Sequence, residues 1–275
     1  MTATTTTHPG APGAGADDVV PVRRTSFVRD VWTVFSREIT PTLREPLGLA
    51  FTMAQPLLFL FLFGPLLGGT GGFGGGEAPW QWFVPGILVL QCLFGPMMAG
   101  YNLLTELLGG SLERMMVSPL NRTAMLIGRT LKESVLLVAQ AVLIMALAVP
   151  MGFTVHAPGI AAGLVLLTVF GVGLGALSFT LAMAAQPNGE LFYMVTQMLL
   201  FPLLLLSGVL LPLDFGPSWL RAVAAANPVA YIADAERALF AGDFTDPSVA
   251  YGALAAVAVA MVGLLLGTRA MRRGV

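Results

Sequence analysis

Six apolar runs dominate the chain, at about Gly48–Leu67, Phe83–Leu104, Met125–Val149, Ile160–Ala185, Leu191–Leu211 and Val249–Leu266. Each approaches the roughly 20 residues an α-helix needs to cross a bilayer, so the pattern predicts six transmembrane helices. Pro56, Pro85, Pro96 and Pro202 fall inside these runs, where proline kinks a helix or marks a broken one. Ahead of the first run the period changes. Over residues 26–44, Phe27, Val31, Val34, Phe35 and Ile39 recur at near-helical spacing among Arg29, Asp30, Arg37 and Glu38, with Trp32 as an anchor. That stripe predicts an amphipathic helix lying along the membrane surface rather than across it. Residues 1–25 are rich in Thr, Gly, Ala and Pro and carry no apolar run. Such a segment buries too little surface to fold and is expected to be a disordered cytoplasmic tail.

Two polar interruptions stand out. In the first, Thr105–Arg122, Glu106 and Glu113 are seven residues apart and project from nearly one helical face. Gly109-Gly110 weakens the helix between them, and Pro119 stops whatever restarts. A short, charged, broken element of this kind suits docking onto another protein; a solvated connecting loop is the competing reading. The second, Leu213–Ser248, holds one apolar patch at Trp219, Leu220 and Val223 and another at Tyr231, Ile232, Ala235 and Leu239, parted by Asn227-Pro228. This predicts two short helices folded back into the outer leaflet, with Asp234 and Arg237 in reach of each other. They form either an outer lid or a surface cap.

Composition places the chain in the membrane: 56% of residues are hydrophobic and 11% charged, against about 25% charged in soluble domains. A net charge of −1 offers no field to attract nucleic acid. Basic residues set the orientation. Arg23, Arg24, Arg29, Arg37, Arg44, Arg114, Arg122, Arg129, Lys132, Arg269, Arg272 and Arg273 share one side, and only Arg221 and Arg237 lie on the other. Both termini are therefore expected to be cytoplasmic.

Candidate chemistry is sparse. The apolar cores of the runs hold no ionisable side chain; Arg129, Lys132 and Glu133 near the start of the third are expected to snorkel to the interface. Proton-coupled carriers and voltage sensors need such groups at membrane depth. A phosphate-binding P-loop needs Gly-Lys, but the single lysine, Lys132, follows Leu131. Gly171, Gly173 and Ala176 fit G-x-G-x-x-A within an unbroken apolar run, and Gly171 with Gly175 makes a GxxxG pair; helix packing is the expected role. No metal-ligand spacing and no nucleophile–base set is visible, so no catalytic or metal site is expected. Cys92 stands alone within an apolar run. A transporter built this way takes its energy from a second polypeptide.

Two stretches carry a family resemblance: Glu106, Gly110, Glu113-Arg114 and Ser118-Pro119, followed by Gly128-Arg129, and Ser207-Gly208-Val209, Pro212, Trp219-Leu220, Asn227-Pro228, Tyr231, Asp234 and Arg237. In their order and spacing the chain resembles the membrane subunit of ABC-2-type exporters, especially the daunorubicin and multidrug-resistance branch. The resemblance implies an all-α membrane domain over 26–275, with the interfacial helix, six spans, re-entrant outer helices and a cytoplasmic C-terminal tail. It implies a cell-membrane complex of two membrane subunits, identical or related, with two copies of a cytosolic ABC ATPase that binds ATP and Mg. Glu106, Gly110, Glu113, Arg114 and Pro119 would couple to that ATPase, and Asn227, Pro228, Asp234 and Arg237 would shape the outer lid. The expected cargo is a hydrophobic drug-like or lipid-like molecule. A polysaccharide or lipid-linked glycan exporter, and a six-span channel or carrier that does not use ATP, are the alternatives.

Overall fold

The computed structural model describes residues 26–68, 79–109, 122–210 and 216–273, and among these the only regular structure is helical. Nine α-helices follow in order: α1 Phe27–Arg44, α2 Pro46–Gly68, α3 Pro79–Leu108, α4 Arg122–Ala148, α5 Ala157–Ala184, α6 Glu190–Leu205, α7 Ser218–Ala224, α8 Pro228–Ala241 and α9 Pro247–Arg273. A single 3₁₀ turn, Val149–Met151, follows α4. Local chemistry sets several boundaries. Gly109 closes α3, its amide bonding to the Thr105 carbonyl at 3.0 Å. The His156 ring Nδ1 accepts from Gly159 N to cap α5, and Asn227 Oδ1 accepts from Val229 N to cap α8. Each is followed at the first turn by a proline, which has no amide proton to leave unpaired. Gly242, at φ +87°, ends α8 in the left-handed region that glycine enters without strain.

α2, α3, α4, α5 and α9 are long and apolar enough to cross a membrane, so the chain is a multi-pass membrane protein. The expected fifth span takes a different form. α6 has 16 residues, about 24 Å of helix, and stops at Leu205 where Ser207 Oγ donates to the Leu204 carbonyl and accepts from Val209 N. Gly208, at φ +69°, then turns the backbone. Residues 206–210, read from sequence as the end of a span, therefore form a turn. The helices are continuous through Pro56, Pro85, Pro96 and Pro202. Over 26–44 the amphipathic pattern does form a helix, and two short helices follow α6 on either side of Asn227.

α5 is the hub, packed against α3, α4, α8 and α9. Its closest neighbour is α9: a Cβ built on Gly173 would sit 2.6 Å from the Ala260 nitrogen, and one on Gly263 would overlap the Gly173 carbonyl. Gly171 and Gly175 look elsewhere, toward Cys92 and Leu137 and toward Pro96 and Thr130, at 3.3 Å or more. The tightest backbone approach thus belongs to the glycine between the predicted pair. The main core gathers Trp82 to Leu93 of α3 with Ile144, Leu167, Phe170, Ile232 and Phe240. A smaller core joins Val34, Leu103, Leu104, Leu126, Phe179 and Phe192 at the end of the bundle that carries α1.

Candidate functional site

At the α1 end, α1 lies on α4 at Gly128, where a Cβ would fall 2.8 Å from that of Val34. Next to this contact Arg129 is 7% exposed. Its Nη2 lies 3.1 Å from Glu38 Oε1 on α1 and 2.5 Å from Glu106 Oε2 on α3. One guanidinium thereby ties three helices, and its charge-assisted bonds offset the cost of taking it out of water. Arg129 does not snorkel from a helix end as expected, because α4 begins at Arg122 and carries it about 10 Å along the helix before it finds partners. Lys132 and Glu133 pair with each other at 2.9 Å. Of the expected coupling residues, Glu106 belongs to this knot, on the last turns of α3; Gly110, Glu113, Arg114 and Pro119 lie outside the described residues.

Beside the knot, α2, α3 and α4 border an open cavity of about 520 Å³ that reaches from the α1–α2 elbow to the level of Gln91. Leu49, Phe51, Phe94 and Leu137 give it apolar walls, and Thr52, Gln91 and Gln140 give it a polar seam. Gln91 Nε2 donates to Gln140 Oε1, and Gln140 Nε2 donates to Thr52 Oγ1 at 3.3 Å. Within apolar spans this row of two amides and a hydroxyl across three helices has no counterpart in the sequence pattern, because residues 49 and 88 positions apart show no spacing signal.

At the opposite end, α8 is clamped to the bundle. Arg237 Nη2 donates to the Gly208 carbonyl at 2.8 Å, its Nε to the Trp82 carbonyl at 3.4 Å, and the guanidinium lies 4.2 Å from the centroid of the Trp82 ring. Asp234 pairs with it at 3.2 Å, as the i, i+3 spacing predicts. Asn227 Nδ2 reaches the Leu203 carbonyl at 2.8 Å, so the cap residue also holds the end of α6. The four expected lid residues thus share one end: Asn227 caps α8, Pro228 starts it, and Asp234 and Arg237 lie along it.

Glu236, on α8 outside the spans, is fully buried, and neither carboxyl oxygen has a hydrogen-bond partner among the described residues. The space it fills exists because residue 163 is glycine: a Cβ there would fall 2.5 Å from Glu236 Oε2. Burial pushes this carboxyl up from 4.5 to about 8. The apolar positions Ile232, Ala233, Ala235, Leu239 and Phe240 around it were the available signal, since a helix that apolar on the same face carries Glu236 inward.

Spanning helices gathered on a polar-seamed bundle, with charge held at one end and a clamped helical cap at the other, define a multi-pass helical membrane protein. Residues 29–241 match the model of the ABC-2 type transporter family, and the chain belongs to that family. Among similar proteins is a putative transport permease, ycf38, of Cyanophora paradoxa, 30% identical over 226 residues that cover 78% of this chain and 75% of that one. The daunorubicin resistance ABC transporter permease protein DrrB1 of Streptomyces coeruleorubidus is 27% identical over 200 residues, 72% of this chain and 70% of the relative. The ycf38 permease of Pyropia yezoensis is 27% identical over 231 residues, with coverage of 78% and 75%.

Proposed function

We propose that this chain is the membrane subunit of an ATP-driven exporter that moves a hydrophobic drug-like or lipid-like molecule out of the cytoplasm or inner leaflet, powered by a separate ABC ATPase. The α1 end faces the cytoplasm, and α1 lies along the inner surface of the cell membrane. The segment that follows α3, with Gly110, Glu113, Arg114 and Pro119, docks on the ATPase together with Glu106, and the ATPase binds ATP and Mg. The observation that carries this reading is the Arg129 knot: force applied to α1 or to the end of α3 reaches α4 directly through a buried guanidinium. Family membership and the relative named for daunorubicin resistance support the drug-export direction.

The functional unit pairs two membrane subunits. Support comes from α6, whose Tyr193, Met194, Met198, Phe201 and Leu205 are exposed and whose contacts within the chain are confined to α3 and α5 among the stronger helix pairs. With a partner beside it, α6 and its turn complete a sixth, broken span. Asn227, Pro228, Asp234 and Arg237 hold the outer lid. The test is purification of the tagged full chain from its native membrane. A Walker-type ATPase should co-purify in near-equal amount, and its ATPase activity should depend on Glu106. Solute movement by the purified chain alone in ATP-free liposomes would overturn the proposal.

A further inference from the structure

We infer that α8 is a proton-locked gate: a proton on the Glu236 carboxyl holds the helix in its seat, and lifting the helix hands that proton to water. As the outer gate of an exporter this rests on the function proposed above; as a proton-linked opening of α8 it does not. The seat is close on two sides. A Cβ on Gly159 of α5 would overlap the Leu239 carbonyl, and one on Gly252 of α9 would overlap the Ala235 methyl. Glu236 enters the niche left by Gly163, where an added Cβ would lie 2.5 Å from its Oε2 and 2.5 Å from a Phe240 ring carbon. Both carboxyl oxygens are buried without a hydrogen-bond partner among the described residues. An ionised carboxylate there would lose its water and gain no partner in exchange.

The titratable groups of the surrounding helices are engaged elsewhere. Arg237, next along α8, bonds the Gly208 and Trp82 carbonyls and pairs with Asp234. From α3, Cys92 is near enough to sense Glu236, and its thiol donates to the Leu167 carbonyl at 3.4 Å. α5 has no charged residue along its length; its cap, His156, sits by Gly242 at the end of α8, where a Cβ would fall 3.0 Å from the ring. From α9, Tyr251 lies against Tyr231, with ring centroids 6.2 Å apart. Asp243 and Asp246 accept from the Thr245 and Ser248 amides in the turn between α8 and α9. Burial therefore governs the carboxyl and pushes it up from 4.5 to about 8 while α8 is seated. Lifted into water, it returns to its ordinary value. Between the two values each opening releases one proton. The closed form is thus favoured at low pH, and its advantage falls about tenfold per pH unit until it levels off above about 8.

The test is hydrogen–deuterium exchange of the full chain in phosphatidylcholine nanodiscs, without ATP, across the interval from about pH 5.5 to about 7.5. Each rate is divided by that of unstructured peptide at the same pH, which leaves the opening constant. Along Pro228–Ala241 this constant should rise about tenfold per pH unit, while Arg122–Ala148 of α4 should show no such slope. Glu236→Gln has no proton to release and should remove the slope from α8. Glu236→Leu should do the same, and it stands in if the glutamine variant does not fold. Infrared spectra supply a second readout: at about pH 7 the parent should keep a protonated-carboxyl C=O band that Glu236→Gln lacks. An α8 slope that survives in the variants overturns the inference, as does a parent spectrum without that band. Failure of this assay leaves ATPase co-purification untouched, and the reverse also holds.

Discussion

The two ends of the bundle bury charge in opposite ways. At the α1 end Arg129 is held by two carboxylates from two other helices, next to an open cavity. At the α8 end the buried carboxyl of Glu236 has no hydrogen-bond partner among the described residues, and the packing around it is close enough to require Gly163. A charge that is kept needs its partners near and so records any relative motion of the helices that supply them. A carboxyl that is buried alone gives up its charge instead, and the elements around it can close to contact. The first arrangement fits a place where force enters; the second fits a cap that stays shut until something moves it.

The largest expected effect tests the first half of that contrast. Arg129→Leu leaves Glu38 and Glu106 facing each other without their cation and should cost about 3–5 kcal/mol, read as a lower melting temperature of the purified complex. Restoring the balance with Glu38→Gln and Glu106→Gln in the same chain should recover most of the stability but not ATP-driven transport. If the triple substitution transports like the parent, the knot is only structural.

Glu236 tests the second half. Its folded-state value lies above the ordinary 4.5, at about 8, so the folded chain holds a proton that the unfolded chain releases in that interval. Its contribution is therefore intact at low pH and is lost as pH rises from 4.5 through about 8, on the order of 5 kcal/mol across the interval. Glu236→Gln should flatten the dependence, and Glu236→Leu should raise stability at every pH. A melting temperature with the same pH slope in all three forms would remove the distinction between the ends.

Packing comes next in size. Gly173→Val meets the backbone of α9 and should cost about 1–3 kcal/mol. Gly171→Ala meets only the Cys92 sulfur and a Leu137 methyl at 3.3–3.4 Å, and should fall within about 1 kcal/mol of neutral. Equal losses at the two sites would mean that α5 is not seated on α9 as described.

What the sequence made legible follows from the range of each interaction. Hydropathy runs need only local composition, and they locate α2 to α5 and α9 closely. Cap chemistry is also local, so Asn227-Pro228 separates α7 from α8 where expected. The length of α6 depends on what Ser207 and Gly208 do to the backbone after Leu205, and an apolar window averages over that turn. Arg129 is expected at the interface because charge near the end of an apolar run usually belongs there, and Glu236 falls within the polar interruption Leu213–Ser248. Their burial depends on Glu38, Glu106 and Gly163, at sequence distances that no period connects. The cavity is the extreme case, since its polar seam exists only once three helices meet.

The smallest predicted effect concerns the pair that sequence spacing identified most directly. Asp234 and Arg237 do meet, but the Asp234 side chain is 60% exposed whereas that of Arg237 is 16% exposed. Solvent screens the attraction, so Asp234→Asn should change stability by less than about 1 kcal/mol. Arg237 answers to more than Asp234: it bonds two backbone carbonyls and covers the Trp82 ring. Arg237→Lys keeps the charge but cannot span those acceptors, and it should loosen α8 more than Asp234→Asn does, measured as faster amide exchange along Pro228–Ala241. Matching exchange rates in the two variants would show that the ion pair, rather than the carbonyl clamp, holds the cap to the bundle.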